Sequence, residues 1–184
     1  MSNNNQQQSE TEKAFKKDDA YQTLELTNSW IGNIDTKVSF ALAFVGVLIG
    51  SIFKEGLPNA FQKIGNLPNI YKAGAMNILA VILVILLYGV SFLAIIYFVL
   101  AITAKAQTQA QSVFFFGSIN KMPLNQYKGK VNNMTEQELM EDLEEQIHTN
   151  SQICTLKTVN YNRGIKCLII TICLWFVCMI FQLI

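Results

Sequence analysis

Residues 28–53 read NSWIGNIDTKVSFALAFVGVLIGSIF, a polar approach followed by an apolar segment with no charge from position 38 onward. At a rise of about 1.5 Å per residue, residues 38–53 reach about 24 Å, slightly less than the roughly 30 Å hydrocarbon core of a bilayer. Trp30 suits an interfacial anchor, and Asp35 and Lys37 fall where membrane meets water. The stretch therefore predicts a first transmembrane helix with a polar boundary.

Asp35 has two interpretations. A carboxylate at a helix boundary can stay hydrated, because interfacial charges commonly mark where a span begins. Alternatively, the carboxylate faces an oligomer interface or a pore, because a charge at this depth needs water or a partner. The hydrated boundary is the more ordinary of the two.

Small residues recur four apart along the first span. Gly46 and Gly50 form GxxxG, and Ser39 and Ala43 continue the spacing. Small residues at this spacing let a second helix approach closely, which drives helix association in lipid. The face predicts helix packing, either between copies of the chain or with another helix of the same chain.

Two further apolar segments follow. Residues 78–102 carry no charge and would reach about 37 Å as a straight helix. Residues 165–184 form the third segment, interrupted by charge only near its start. The turn-rich segment 54–77 joins the first two spans. We expect an all-α membrane protein with three transmembrane helices and a small helical cytoplasmic layer.

The polar remainder supplies that layer. Residues 1–11 are a polar tail that we expect to be disordered, and residues 12–37 predict an amphipathic helix running into the first span. Its expected inner face consists of Ala14, Tyr21, Leu24, Asn28, Ile31, Asp35 and Val38. Residues 103–164 contain Thr135 and Glu138 in the T-x-x-E pattern of a capping box, which predicts a helix start followed by an acidic face.

Positive charge sets the expected orientation. Ten lysines and arginines lie before the first span or in 103–164, against three in 54–77. Because positively charged loops stay in the cytoplasm, the N-terminus and the long loop are predicted to be cytoplasmic.

Several classes of function find no support in the sequence. The net charge of +1 argues against a nucleic-acid partner, and no phosphate-binding or hydrolase motif is present. Glu145 and His148 make only half of a di-iron motif, which needs a second copy and two more carboxylates. We therefore expect no enzyme activity, no catalytic residue, no metal and no cofactor.

The chain resembles a known family in the order of its segments. These are the polar approach with Trp30, Asp35 and Lys37, the second span, FFFGSI at 114–119, TEQEL at 135–139, DLEEQI at 142–147 and the third span. Over residues 24–181 this order is similar to the Pycsar-type transmembrane effectors of bacterial antiphage defence. The resemblance implies an inner-membrane effector that answers a cyclic pyrimidine mononucleotide, made by a partner cyclase, by impairing the membrane.

A cyclic nucleotide carries one phosphate charge, and four cations are candidates to meet it: Arg163, Lys157, Lys128 and Lys130. Arginine is the better bidentate partner, although Arg163 can equally anchor a span beside the headgroups. A three-span monomer cannot enclose a wide pore, so the effector hypothesis predicts a homo-oligomer in the lipid bilayer. The alternative is a membrane-anchored adaptor that recruits a soluble partner through its acidic helix.

Overall fold

The computed structural model describes residues 14–54, 56, 58–65, 74–105 and 112–184, so the predicted tail at 1–11 lies outside the described residues. Within these ranges every regular element is a helix. The helices are α1 Lys17–Phe53, α2 Asn59–Gly65, α3 Ala75–Thr103, α4 Phe116–Ile119, α5 Leu124–Asn133 and α6 Glu136–Ile180. Three of them, α1, α3 and α6, are long and apolar enough to cross a membrane. The predicted fold class, an all-α membrane protein with three transmembrane helices, is confirmed.

The described residues form two compact units. The described residues of the first unit fall within 1–28 and 108–150, and those of the second fall within 29–107 and 151–184. Helices α1 and α6 each run unbroken from residues of the first unit into residues of the second.

The second unit is a bundle of α1, α3 and α6. Inward-facing residues alternate at steps of three and four along each helix, the repeat that lets helices pack side by side over a long seam. On α3 these are Val84, Leu87, Ser91, Ala94, Phe98 and Ala101, and on α6 they are Lys157, Tyr161, Gly164, Leu168, Thr171, Trp175 and Cys178. Since lipid is as apolar as most of these side chains, close packing between helices contributes to holding the bundle together.

The core of the bundle has two layers. One layer contains Val38, Ala41, Val45, Ala94, Phe98, Ala101 and Leu168. The other contains Leu48, Ile52, Ala60, Val84, Leu87, Cys178 and Leu183. Each layer combines α1, α3 and α6, and α3 runs opposite to the other two, because its residue numbers fall as theirs rise.

The end of α6 is closed by a local motif. Gln182 has a positive φ of 52°, and the amide of Leu183 donates to the Cys178 carbonyl at 2.9 Å. This is a Schellman arrangement, in which the residue after the turn also packs against the last helical turn. The Leu183 carbonyl then accepts from the Ala60 amide of α2 at 3.1 Å. The helix therefore ends at Ile180, short of the expected span end at 184.

The first unit is a small helical layer. Tyr21 of α1 packs edge-on against Phe114, with ring centroids 5.9 Å apart. The Asp142 carboxylate of α6 accepts from the Val113 amide at 2.8 Å. Farther along, the Asn150 amide donates to Asn28 at 2.8 Å. These contacts fix the start of α1 and the segment at 112–115 against the first half of α6.

The inner face of α1 matches the expected one in part, since Leu24, Ile31, Asp35 and Val38 are half-buried or buried. Tyr21 and Asn28 are exposed, and so is Ala14, which lies before the helix begins at Lys17. The buried and half-buried positions of α1 are Ala20, Thr23, Leu24, Thr27, Ile31, Ile34, Asp35, Val38, Ala41, Leu42, Val45, Leu48, Ile49 and Ile52. The observed repeat of threes and fours also includes Ala20, Thr27 and Ile34, which the prediction left out. The interruption by Thr27 hides this repeat, because a polar residue stands at an inward position.

Candidate functional site

The most distinctive polar arrangement in the second unit surrounds Lys157. Its ammonium donates to the Asp35 carboxylate at 2.5 Å and to the Ile102 carbonyl at 3.1 Å. The Lys157 side chain is 6% exposed and that of Asp35 is 42% exposed. One lysine of α6 thus joins α1 and the end of α3, an arrangement named here the lysine junction.

Each partner in the lysine junction follows from its place on a helix. Lys157 stands on the inward face of α6, and Asp35 lies one turn before the buried Val38 of α1. Because α3 ends at Thr103, the Ile102 carbonyl is among those with no donor inside their own helix. A cation at a helix C-terminus also interacts favourably with the helix dipole. The junction therefore satisfies a carboxylate, a carbonyl and an ammonium together.

This geometry bears on both interpretations of Asp35. The carboxylate reaches solvent-accessible space through its exposed part, yet it also has a charged partner within the same chain. A buried charge that loses its partner is strongly destabilising, and Lys157 is the more deeply buried of the two. Sequence reasoning missed the pair because the two residues lie 122 positions apart.

The other expected interface residues are exposed. Trp30 is 60% exposed and Lys37 is also exposed on α1. An indole and an ammonium that project from the surface of the bundle can both reach a bilayer boundary.

The four candidate phosphate ligands are divided between the units. Lys157 and Arg163 belong to the second unit, whereas Lys128 and Lys130 lie on α5 in the first. Arg163 is exposed, and its guanidinium carbon lies 6.0 Å from the centroid of the Tyr97 ring on α3. That separation is at the outer limit of a cation–π contact.

Lys130 lines a cavity of about 480 Å³ in the first unit. Its other lining residues are Ser112, Gly129, Asn133, Met134, Glu138, Glu141, Asp142 and Glu145. One lysine faces four carboxylates, so the cavity is acidic although its volume would suit a mononucleotide.

The capping box at the start of α6 is confirmed. The Thr135 amide and hydroxyl donate to the Glu138 carboxylate at 2.7 and 2.9 Å, and the Glu138 amide donates back to the Thr135 hydroxyl at 3.2 Å. The hydrogen bonds from Thr135, with a smaller contribution from Lys130, lower the pKa of Glu138. The ionised carboxylate is thus the form that holds the helix start.

The small-residue face of α1 points away from the bundle. Ser39, Ala43, Gly46 and Gly50 are exposed, while Val38, Ala41, Val45 and Leu48 are buried. A Cβ placed on Gly46 or Gly50 would meet no heavy atom of the described residues within 4 Å. No other helix in the described part of the chain uses this face.

In the described ranges, no group of three or more His, Cys, Asp or Glu side chains could hold a metal ion.

The lysine junction, three membrane-length helices and a small helical layer define an all-α, three-span membrane protein.

Comparisons place this membrane protein in a family. The family PycTM, described as the Pycsar effector protein domain, matches residues 19–184. The chain is 30% identical over 169 residues to the Pycsar effector protein GmPycTM of Gulbenkiania mobilis, covering 83% of this chain and 86% of that protein. This chain therefore belongs to the Pycsar effector family and is an antiphage-defence effector with a transmembrane domain. No solved structure matches it.

Proposed function

We propose that this effector binds a cyclic pyrimidine mononucleotide made by a partner cyclase and responds by impairing the bacterial inner membrane as a homo-oligomer. The observation that carries this proposal is the contrast between the two sides of α1. Its inner side is buried in the bundle, whereas its small-residue side is exposed and contacts no other described helix. Family membership supports the cyclic nucleotide as the signal.

Oligomer formation follows from the contents of the bundle. The interior of a single chain is filled by its two core layers, so it leaves no wide passage. Several chains could pack through Ser39, Ala43, Gly46 and Gly50, because small side chains allow close helix approach in lipid. Membrane damage then depends on assembly and on rearrangement of the spans.

The signal has two continuous helices along which to act. Because α1 and α6 have no break, a ligand that changes the packing of either helix at one level can tilt or rotate that helix along its length. A ligand shifts such an equilibrium only by its difference in affinity for the two arrangements. The lysine junction, which ties α1, α3 and α6 together, is the contact that such a movement would strain.

For the phosphate, Arg163, Lys128 and Lys130 stay the candidates with access to solvent or to a cavity. The buried Lys157 ammonium already has two acceptors, so its contribution is to hold the helices. Arg163 offers the planar fork that matches phosphate oxygens.

The test uses the full chain in liposomes filled with a fluorescent dye and titrated with 3′,5′-cyclic CMP, cyclic UMP, cyclic AMP and cyclic GMP. The proposal expects dye release with a pyrimidine nucleotide and none with the purines. In cells, expression with the nucleotide should collapse the membrane potential. Binding of a pyrimidine nucleotide without release or loss of potential would contradict the membrane-impairing step.

Orientation is tested separately. With an N-terminus in the cytoplasm, a reporter inserted near Lys128 is active in the cytoplasm and one placed after Ile184 is active outside it. The reverse pattern would contradict the proposed topology.

One observation favours the adaptor alternative. The acidic cavity beside α5 and α6 would attract a basic partner rather than a nucleotide monoanion. If the adaptor hypothesis holds, replacing Glu141 and Glu145 by glutamine abolishes co-purification of a soluble protein while the membrane potential never changes.

A further inference from the structure

A stripe of four residues follows the inward side of α6 at steps of seven: Lys157, Gly164, Thr171 and Cys178, named here the α6 stripe. All four are buried. From the first to the last, the helix rises about 31 Å, close to the roughly 30 Å thickness of the hydrocarbon core. None of the four is a large apolar side chain, although this is the side of the helix that packs in the bundle.

Thr171 is the most informative member of the α6 stripe. It is 1% exposed, and its hydroxyl has no hydrogen-bond partner among the described residues. Thr155 and Thr158 of the same helix instead donate to carbonyls four residues earlier, at 2.9 and 2.8 Å. A buried hydroxyl without a partner destabilises the packed state. Stability of this bundle therefore gives no reason for a threonine at this position.

A second buried hydroxyl stands at the same level. Phe98 of α3 contacts Gly164 of α6, and the two helices run in opposite directions. One step of seven residues from this contact leads to Ser91 on α3 and to Thr171 on α6. Ser91 is also buried, and it donates to the Leu87 carbonyl at 2.6 Å. The middle of the bundle thus contains a polar level between its two apolar core layers.

We propose that the α6 stripe lines the water path of the active effector, with Thr171 and Ser91 as its central polar level. This inference rests on the proposed membrane-impairing function and adds the residues that face the leak. Hydroxyls and small side chains permit wetting where large apolar side chains would exclude water. In the packed bundle the lysine junction closes one end of the stripe, and Lys157 becomes part of the path only when the junction separates.

The native thiols provide a direct test. Cys178 is buried on the stripe, whereas Cys173 is exposed on another side of α6. The full chain in liposomes is treated with a charged, membrane-impermeant thiol reagent, with and without cyclic CMP or cyclic UMP, and modification is read by mass spectrometry. The inference expects nucleotide-dependent modification of Cys178 and no such change at Cys173, which a charged reagent cannot reach through lipid.

A second experiment changes only the hydroxyl. Thr171→Val removes the unpartnered group, so it should raise the melting temperature by about 2–4 °C while lowering nucleotide-triggered dye release several-fold. Thr171→Ser keeps the hydroxyl and should retain release near the wild-type level. If Thr171 had a purely structural role, Thr171→Val would not raise the melting temperature while lowering dye release.

The outcomes distinguish this inference from the function on which it rests. If the wild-type chain releases dye while Cys178 stays unmodified, the α6 stripe does not line the path. The same conclusion follows if Thr171→Val releases dye at the wild-type level. In both cases the membrane-impairing function is not contradicted. Absence of nucleotide-triggered release overturns both. Equal modification of Cys178 with and without nucleotide also overturns the inference.

Discussion

The Phe98 ring of α3 lies directly against the backbone of Gly164 on α6. A Cβ at position 164 would come within 2.6 Å of the ring, closer than any ordinary carbon contact. Phe98 is completely buried, and the Tyr161 ring lies nearby, with centroids 6.3 Å apart. The two helices approach closely here because α6 has no side chain at position 164.

Gly164→Ala should therefore lower the free energy of unfolding by about 1–3 kcal/mol, because the added methyl must displace the fully buried Phe98 ring. Thermal unfolding in detergent measures the change. Gly89→Ala on α3 is the matched control, since a Cβ at that position would have no heavy atom of the described residues within 4 Å. Equal stability of the two variants would contradict the close approach.

The lysine junction predicts an asymmetry between its charged partners. Asp35→Asn leaves a buried ammonium without a counter-charge and should reduce stability by about 1–3 kcal/mol. Lys157→Met leaves a half-exposed carboxylate that can hydrate, so its effect should be smaller. The double variant should be more stable than Asp35→Asn alone.

Urea unfolding of the four proteins in a double-mutant cycle measures the coupling between Asp35 and Lys157. Lys37→Met, at an exposed neighbouring position, serves as the control for removing a charge from this part of the chain. Additive effects of the two single changes would show that the pair contributes no coupling energy.

Several features were predictable because their causes are local. The three spans follow from uncharged apolar segments, and the capping box follows from two residues three apart. The Lys157 partnership was not predictable, since it depends on how helices distant in sequence come together. The role of Gly164 was not predictable either, because only the position of Phe98 explains why a glycine stands in the middle of α6.

The open face of α1 predicts self-association. Gly46→Ile and Gly50→Ile should weaken cross-linked oligomers and toxicity, because bulk prevents close helix approach. The stability of the single chain should hardly change, since a Cβ at either position would meet no described heavy atom within 4 Å. Gly89→Ile places the same bulk on α3 and should leave oligomers intact. If oligomers persist in Gly46→Ile and Gly50→Ile, this face contacts lipid and not a second chain.

The capping box predicts a pH dependence. The pKa of Glu138 is lowered by the hydrogen bonds from Thr135, so its stabilising contribution is present above the unfolded pKa of about 4.3 and is lost as pH falls through the lower folded value. Glu138→Gln should remove this part of the acid dependence of α6 helicity, measured by circular dichroism. Glu144→Gln removes an exposed carboxylate outside the box and should leave the dependence in place.

Arg163 provides the sharpest test of where the phosphate binds. Arg163→Gln should abolish nucleotide-triggered dye release, and Arg163→Lys should keep a positive charge beside the membrane but lose most of the response, because an ammonium cannot offer two parallel hydrogen bonds to phosphate. Calorimetric titration with cyclic CMP and cyclic UMP separates binding from release. Lys166→Gln is the control for an exposed cation on the same helix and should bind as the wild type does. If all of these proteins bind the nucleotide equally, Arg163 serves as a membrane anchor and the phosphate site lies elsewhere, with Lys128 and Lys130 of α5 next to be tested.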